Sequence, residues 1–258
     1  MTALSNVGAI VGKEWRHYFG SPIAYVAFFV WTILFGGFFY LSLGFFLQTS
    51  MRGAQFGGGL SLNDFVIARV LQNMCVVALF LTPMLTMRLF AEEKRQGTIE
   101  LLATAPLTDW QVVFGKFLGA LGLFALMVAV GFLNFLVLWR WAINAPDWRP
   151  VATGALALLL LGGAFIALGL FLSTLTSNQV VAATLTFGLL LLLWILGWLD
   201  EPGATGVVKW ASQLGLINHV EDLMKGVLDL KDVLFYASVT AFGLFLAHQS
   251  VESQRWRA

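Results

Sequence analysis

The sequence predicts an all-α polytopic membrane protein. It would have six transmembrane helices, an N-terminal interfacial elbow helix and a short helical connector between the second and third spans. Three observations lead there. Of 258 residues, 59% are hydrophobic and 11% charged, whereas a soluble domain is about one-quarter charged. Six separate stretches supply the ~20 apolar residues that cross a bilayer core. Charge missing from those stretches is gathered in Glu92-Glu93-Lys94-Arg95-Gln96-Gly97-Thr98-Ile99-Glu100, between two long apolar runs.

Residues 1–22 read as one unit. Val7, Ile10, Val11, Trp15, Tyr18 and Phe19 fall on one helical face, and Lys13, Arg16 and His17 crowd the other. A helix with Trp on its apolar side and cations opposite lies in the membrane interface. Ser21 then caps a new helix and Pro22 takes its first turn, where the missing N–H costs nothing. An elbow and an ordinary basic anchor both fit this pattern. The first apolar run is too long for the core of a cleavable signal peptide, so it is expected to stay in the membrane.

Residues 23–258 form the transmembrane domain, with spans at Ile23–Leu47, Val66–Phe90, Val112–Trp141, Val151–Leu175, Gln179–Leu199 and Val233–Gln249. The fifth holds eight Leu and no charge; at roughly −0.5 kcal/mol per central Leu, insertion is favoured by a few kcal/mol. The sixth is short with polar ends. Gln48–Phe65 carries Gly57-Gly58-Gly59 and reads as flexible, while Asn144–Pro150 and Thr176–Asn178 are tight turns. The longest loop, 200–232, opens on the turn signal Asp200-Glu201-Pro202-Gly203. Inside it, Asn218 stands three before Glu221 at capping spacing, and Val220, Leu223, Met224, Val227 and Leu228 mark one apolar face. That pattern fits a short surface helix or a packed re-entry segment. Six spans put both termini on one side, and eight Lys/Arg against seven barely orient the chain. Lys209 and Lys225 sit inside the longest loop, whereas the other set lies near span ends, which favours termini inside.

In the connector 91–111, Thr98 can cap a short helix through Ile99–Ala103 that Pro106 ends. Thr108 and Gln111 then pair at capping-box spacing to open span three. Ile99, Leu101, Leu102 and Leu107 give the connector apolar side chains that a solvated loop does not need. It reads as a partner surface, or as a linker whose charges pair among themselves to little effect. Arg69 and Asn73, near the outer end of span two, are candidate pathway residues because ionisable groups in membranes mark paths or pairs; Arg69 can equally snorkel. Gly115 with Gly119, and Gly163 with Ala167, suit close helix contact.

Other functions lose ground on the same residues. A net charge of +1 argues against nucleic acid as a partner. One cysteine, Cys75, permits neither an intrachain disulfide nor a cysteine metal site. Gly115-Lys116 lacks the leading Gly and the hydroxyl residue of a phosphate loop, so no nucleotide site is expected in this chain. No Gly-x-Ser-x-Gly elbow occurs. His17, His219 and His248 are too dispersed for a metal. Glu92-Glu93 begins a Glu-Glu-x-x-x-Arg pattern, but position 97 is Gly. His219 and Asp222 share a helical face at i, i+3. Neither catalytic nor metal residues are assigned.

The N-terminal run Lys13-Glu14-Trp15-Arg16-His17-Tyr18-Phe19-Gly20-Ser21-Pro22-Ile23-Ala24-Tyr25 resembles the start of ABC-2-type permeases. So does the connector Glu92-Glu93-Lys94-Arg95-x-Gly97-Thr98-x-Glu100-Leu101-Leu102 with Pro106 and Gly115-Lys116. Within that family the chain is most similar to gliding-motility-type permeases, a group related to those of nitrous-oxide-reductase maturation. The ending, His219 to Gly226, Leu228-Asp229-Leu230-Lys231-Asp232-Val233 and Gln254-Arg255-Trp256, fits as well. The resemblance implies a multi-pass protein of the bacterial inner membrane with both termini cytoplasmic, forming half of an export conduit. A second permease copy or paralogue would complete it, among membrane lipids, with an auxiliary extracytoplasmic subunit also possible. A separate ATP-binding subunit would hold ATP and Mg, leaving no cofactor on this chain, and would dock on a cytoplasmic coupling helix. Docking residues would be Glu92, Glu93, Arg95, Gly97, Thr98, Glu100, Leu101, Leu102, Pro106 and Leu107, and elbow residues Lys13, Trp15, Arg16 and Tyr18. The alternative is an autonomous membrane protein, an intramembrane enzyme or a scaffold, that needs no ATPase.

Overall fold

The computed structural model describes residues 3–53, 61–98, 107–142, 146–199 and 206–255. Every regular element there is helical: α1 (Ala3–Phe19), α2 (Pro22–Gly53), a π-helical turn (Asn63–Ala68) running into α3 (Arg69–Thr86), and α4 (Ala91–Gln96). Then come α5 (Asp109–Trp141), α6 (Arg149–Leu175), α7 (Gln179–Leu196), α8 (Val207–Gln213), α9 (Glu221–Met224) and α10 (Leu230–Arg255). Six are long and apolar enough to cross a membrane: Pro22–Met51, Asn63–Gln96, Asp109–Trp141, Arg149–Leu175, Gln179–Leu199 and Leu230–Ser253. The sixth is longer than its sequence pattern suggested. At 33 residues, α5 is about 50 Å long, so its ends project beyond a ~30 Å hydrocarbon core.

Helix α6 is the axis of the bundle. It packs against α3, α5, α7, α9 and α10, and its glycines let neighbours approach. A Cβ at Gly162 would lie 2.2 Å from Phe124 Cε1, and one at Gly169 2.4 Å from Thr86 Oγ1. Membrane helices gain nothing from leaving lipid for protein, so such close packing carries their association. The Gly163/Ala167 pair is used differently from expectation: Ala167 receives Gly243 of α10, while Gly163 keeps looser neighbours. Between α2 and α5 the contact is aromatic, with Trp31 edge-on to Phe124 at 5.5 Å and Phe35 to Phe135 at 5.4 Å.

Several local expectations hold. Thr108 and Gln111 form a reciprocal capping box at the start of α5, and Ser21 Oγ accepts the Ile23 N–H. Others need correction. The second span continues past Phe90, because Phe90 and Ala91 are wholly buried and the helix resumes to Gln96. It ends where Gly97 adopts φ 70, with Thr98 N–H bonded to Glu93 O and Gly97 N–H to Lys94 O, a Schellman stop. Residues 92–96, expected in the connector, are therefore helix. Asn218 does not cap α9; its amide donates to Ser212 O at 3.2 Å, and α9 is a single turn following Val220. Val220, Leu223 and Met224 are buried whereas Val227 and Leu228 are exposed, so the segment is packed into the bundle and does not lie on its surface as a longer helix. His219 pairs with Asp232 at 2.8 Å, across the loop, and not with Asp222.

Candidate functional site

Helices α1, α4 and α5 meet at the end of the bundle that carries the chain's connector. Helix α1 seats on a glycine stripe of α5: a Cβ at Gly115 would lie 2.7 Å from Ile10, and one at Gly119 2.9 Å from Glu14 Cβ. The Gly115/Gly119 pair thus serves α1 and not another span. Ile10, Glu14 and Tyr18, spaced by four, form the buried face. Trp15 Nε1 donates to Gly119 O at 3.1 Å. Tyr18 O–H donates to Leu85 O at 2.9 Å; burial first, and the Glu14 carboxylate second, push the Tyr18 phenol well above its ordinary range. Lys13 and Arg16 are both exposed, and Arg16 Nε donates to Gly12 O in its own turn.

Burying Glu14 on α5 requires a cation, and Lys116 supplies it. Lys116 Nζ lies 2.8 Å from Glu14 Oε1 and 2.9 Å from Glu93 Oε1, with its side chain 2% exposed. Lys13 adds a second bond to Glu93 Oε1 at 2.8 Å, and the Phe90 ring lies 5.1 Å from Lys116 Nζ. Alongside, Glu92 receives His17 Nε2 at 3.2 Å and Gln96 Nε2 at 3.2 Å, with Arg88 Nε at 3.9 Å. Arg88 Nη1 donates to Ser21 Oγ at 2.9 Å, reaching the bend between α1 and α2. These groups line an open polar cleft of about 370 Å³. Its three carboxylates face three full cations, so the cluster is neutral without His17, as a low-dielectric setting demands.

On the far side of α4, Lys94 Nζ donates to Thr174 O, capping the free carbonyls at the C-terminus of α6. One short helix therefore grips α1, α5 and α6 at once. Among the described residues of the polar patch, Glu92, Glu93 and Lys94 turn inward, and Arg95, Gln96 and Gly97 are exposed. Thr98 closes the turn through its hydroxyl to Glu93 O at 3.4 Å. Ile99, Glu100, Leu101, Leu102 and Pro106, and with them the short helix expected there, lie outside the described residues; Leu107 is half-buried. Arg69 is exposed, its guanidinium 5.0 Å over the Phe45 ring, and Asn73 is half-buried. The structure brings neither near the ionic cluster. Sequence reasoning passed over Glu14 and left Lys116 as a span-end cation. The signal was present: a lysine one turn inside an apolar run needs an acid, and Glu14 sits on the face that meets it.

Six apolar spans around a glycine-lined central helix, with a polar junction where three helices meet, define a multi-pass helical membrane protein. Residues 8–199 match the family described as ABC-2 family transporter protein, and the chain belongs to that family as a membrane-spanning transport subunit. It is also similar to the probable multidrug ABC transporter permease YbhR of Escherichia coli, from strain K12 and from O157:H7. Each is 26% identical over 171 residues, 65% of this chain and 44% of the relative. The aligned stretch spans under half the length of those relatives.

Proposed function

We propose that the chain is the permease subunit of an ABC-2-type exporter of the bacterial inner membrane, driven by a separate ATP-binding subunit docked on the connector 91–111. Both termini lie in the cytoplasm with that connector, and a second permease copy or paralogue completes the conduit. ATP and Mg stay on the partner. The subgroup is the gliding-motility type, and an auxiliary extracytoplasmic subunit is a further partner. Spans with so few polar groups suit an amphiphilic cargo.

The observation that carries the reading is the grip of α4. A displacement applied to the connector passes at once to α1 through Glu93–Lys13, to α5 through Glu93–Lys116, and to α6 through Lys94–Thr174. Within this scheme Arg95 is the outward-facing contact and Glu100, Leu101 and Leu102 are docking residues, while Glu92 and Glu93 hold α4 in place. Lys13, Trp15, Arg16 and Tyr18 set α1 at the interface, and Arg69 and Asn73 face the path.

A tagged pull-down from gently solubilised native membranes, with ATP hydrolysis assayed, tests this. An ATP-binding subunit in near-equal amount is expected, with hydrolysis weakened by Arg95→Glu or Glu100→Lys. Recovery without an ATPase, in a detergent that keeps other complexes intact, overturns it in favour of an autonomous membrane protein.

A further inference from the structure

On the opposite face of the bundle, α7 and α10 both pack on α6 but scarcely on each other. Among the described residues they are tied together at one end. Leu216 N–H bonds Leu193 O of α7 at 3.3 Å, and Leu216 O accepts the Tyr236 hydroxyl of α10. From that staple a furrow of about 550 Å³ opens, floored by Phe171 and walled by Leu189, Leu193, Val239 and Phe242. Its one hydroxyl, Ser238 Oγ, is already spent on Leu234 O at 2.7 Å. The furrow lies within the membrane-spanning stretches of α6, α7 and α10, its size is that of a ligand site, and nothing polar in it is left to satisfy.

At the stapled end the furrow runs into α8. Leu214, which lines it, follows Trp210 by four and Val207 by seven, and all three are more than half exposed. They form one apolar face, with Trp210 where an interfacial tryptophan belongs. Lys209 is exposed beside that face and makes no ion pair among the described residues. An apolar furrow at acyl-chain depth, continuous with an interfacial tryptophan and an exposed cation, has the layout of a phospholipid. We propose that it binds one acyl chain of a membrane phospholipid, with the phosphate beside Lys209. This stands independently of any ATPase partner.

The test is a phospholipid carrying a mid-chain diazirine, added to native membranes containing the chain in its complex, photolysed and mapped by peptide mass spectrometry. Adducts are expected at Leu193, Val239 and Phe242 severalfold above lipid-facing residues elsewhere, such as Phe29 and Ile33 of α2 or Leu133 of α5. Val239→Trp fills the furrow and removes those adducts while α2 labelling persists; Lys209→Glu weakens them. Ser238→Leu, a smaller filling, serves if the tryptophan variant does not fold. Even labelling of all exposed spans would mean ordinary surrounding lipid and overturn the proposal. So would a furrow covered by a second copy and unlabelled, or a folded Val239→Trp protein that keeps its furrow adducts.

Discussion

The two ends of this molecule fasten helices by opposite means. At the connector end, α1, α4 and α5 are joined by side-chain charges, with Lys116 held between Glu14 and Glu93. At the other end, α7 and α10 are joined through the backbone of Leu216, with His219 stacked 3.9 Å over Phe235 and paired to Asp232. A buried ionic joint adds little net stability but is costly to break by halves. It passes a displacement along fixed directions, which suits a junction that must move as one body. A backbone staple tolerates side-chain change and leaves the helices beyond it free to part, which is where the furrow opens.

The sharpest way to break that contrast is to remove one ion. Lys116→Met leaves buried Glu14 without its cation and Glu93 with Lys13 alone. We expect a loss of about 3–5 kcal/mol, read as a lowered melting temperature in detergent. Adding Glu14→Met should recover part of it, and a double variant no better than the single would refute the joint. Next in size is packing at the axis. Gly162→Ala should cost about 1–3 kcal/mol through overpacking against Phe124, whereas Gly188→Ala, with nothing within 4 Å, should be neutral or better; equal melting points would deny α6 its central role. Asp232→Asn at the other end should cost about 1–2 kcal/mol by weakening one buried hydrogen bond, and hydrogen exchange should rise around Leu216 before it rises near Lys116. Smallest is Glu221→Gln, which loses an exposed partner of Lys225 at 3.6 Å and should change stability by under about 1 kcal/mol. An effect as large as that of Asp232→Asn would mean the loop is held by its surface charges.

From the sequence the polar patch reads as a partner surface or a linker in water, because charge next to apolar runs usually faces water. Glu93 turns inward because its opposites, Lys13 and Lys116, lie 80 and 23 positions away in the chain, and Glu92 meets His17 from 75 positions away; no local pattern announces such pairs. Asn218 failed as a cap for a related reason: its spacing was right, but a closer carbonyl, that of Ser212, claimed its amide. The Thr108–Gln111 box succeeded because both of its bonds form within one turn and nothing distant competes.

Apolar runs of bilayer length determined the six spans by themselves, since a spanning helix satisfies its own backbone and needs only length and composition. The Pro22 start and the family pattern were equally legible, each resting on residues adjacent in sequence. Only the tertiary structure decided that α1 lies on the glycine stripe of α5, that Lys116 joins two carboxylates from separate helices, and that α7 and α10 part around a furrow. Those depend on which helix faces sit together. That is fixed by packing volume and charge compensation across the bundle, quantities that a linear order of residues does not contain.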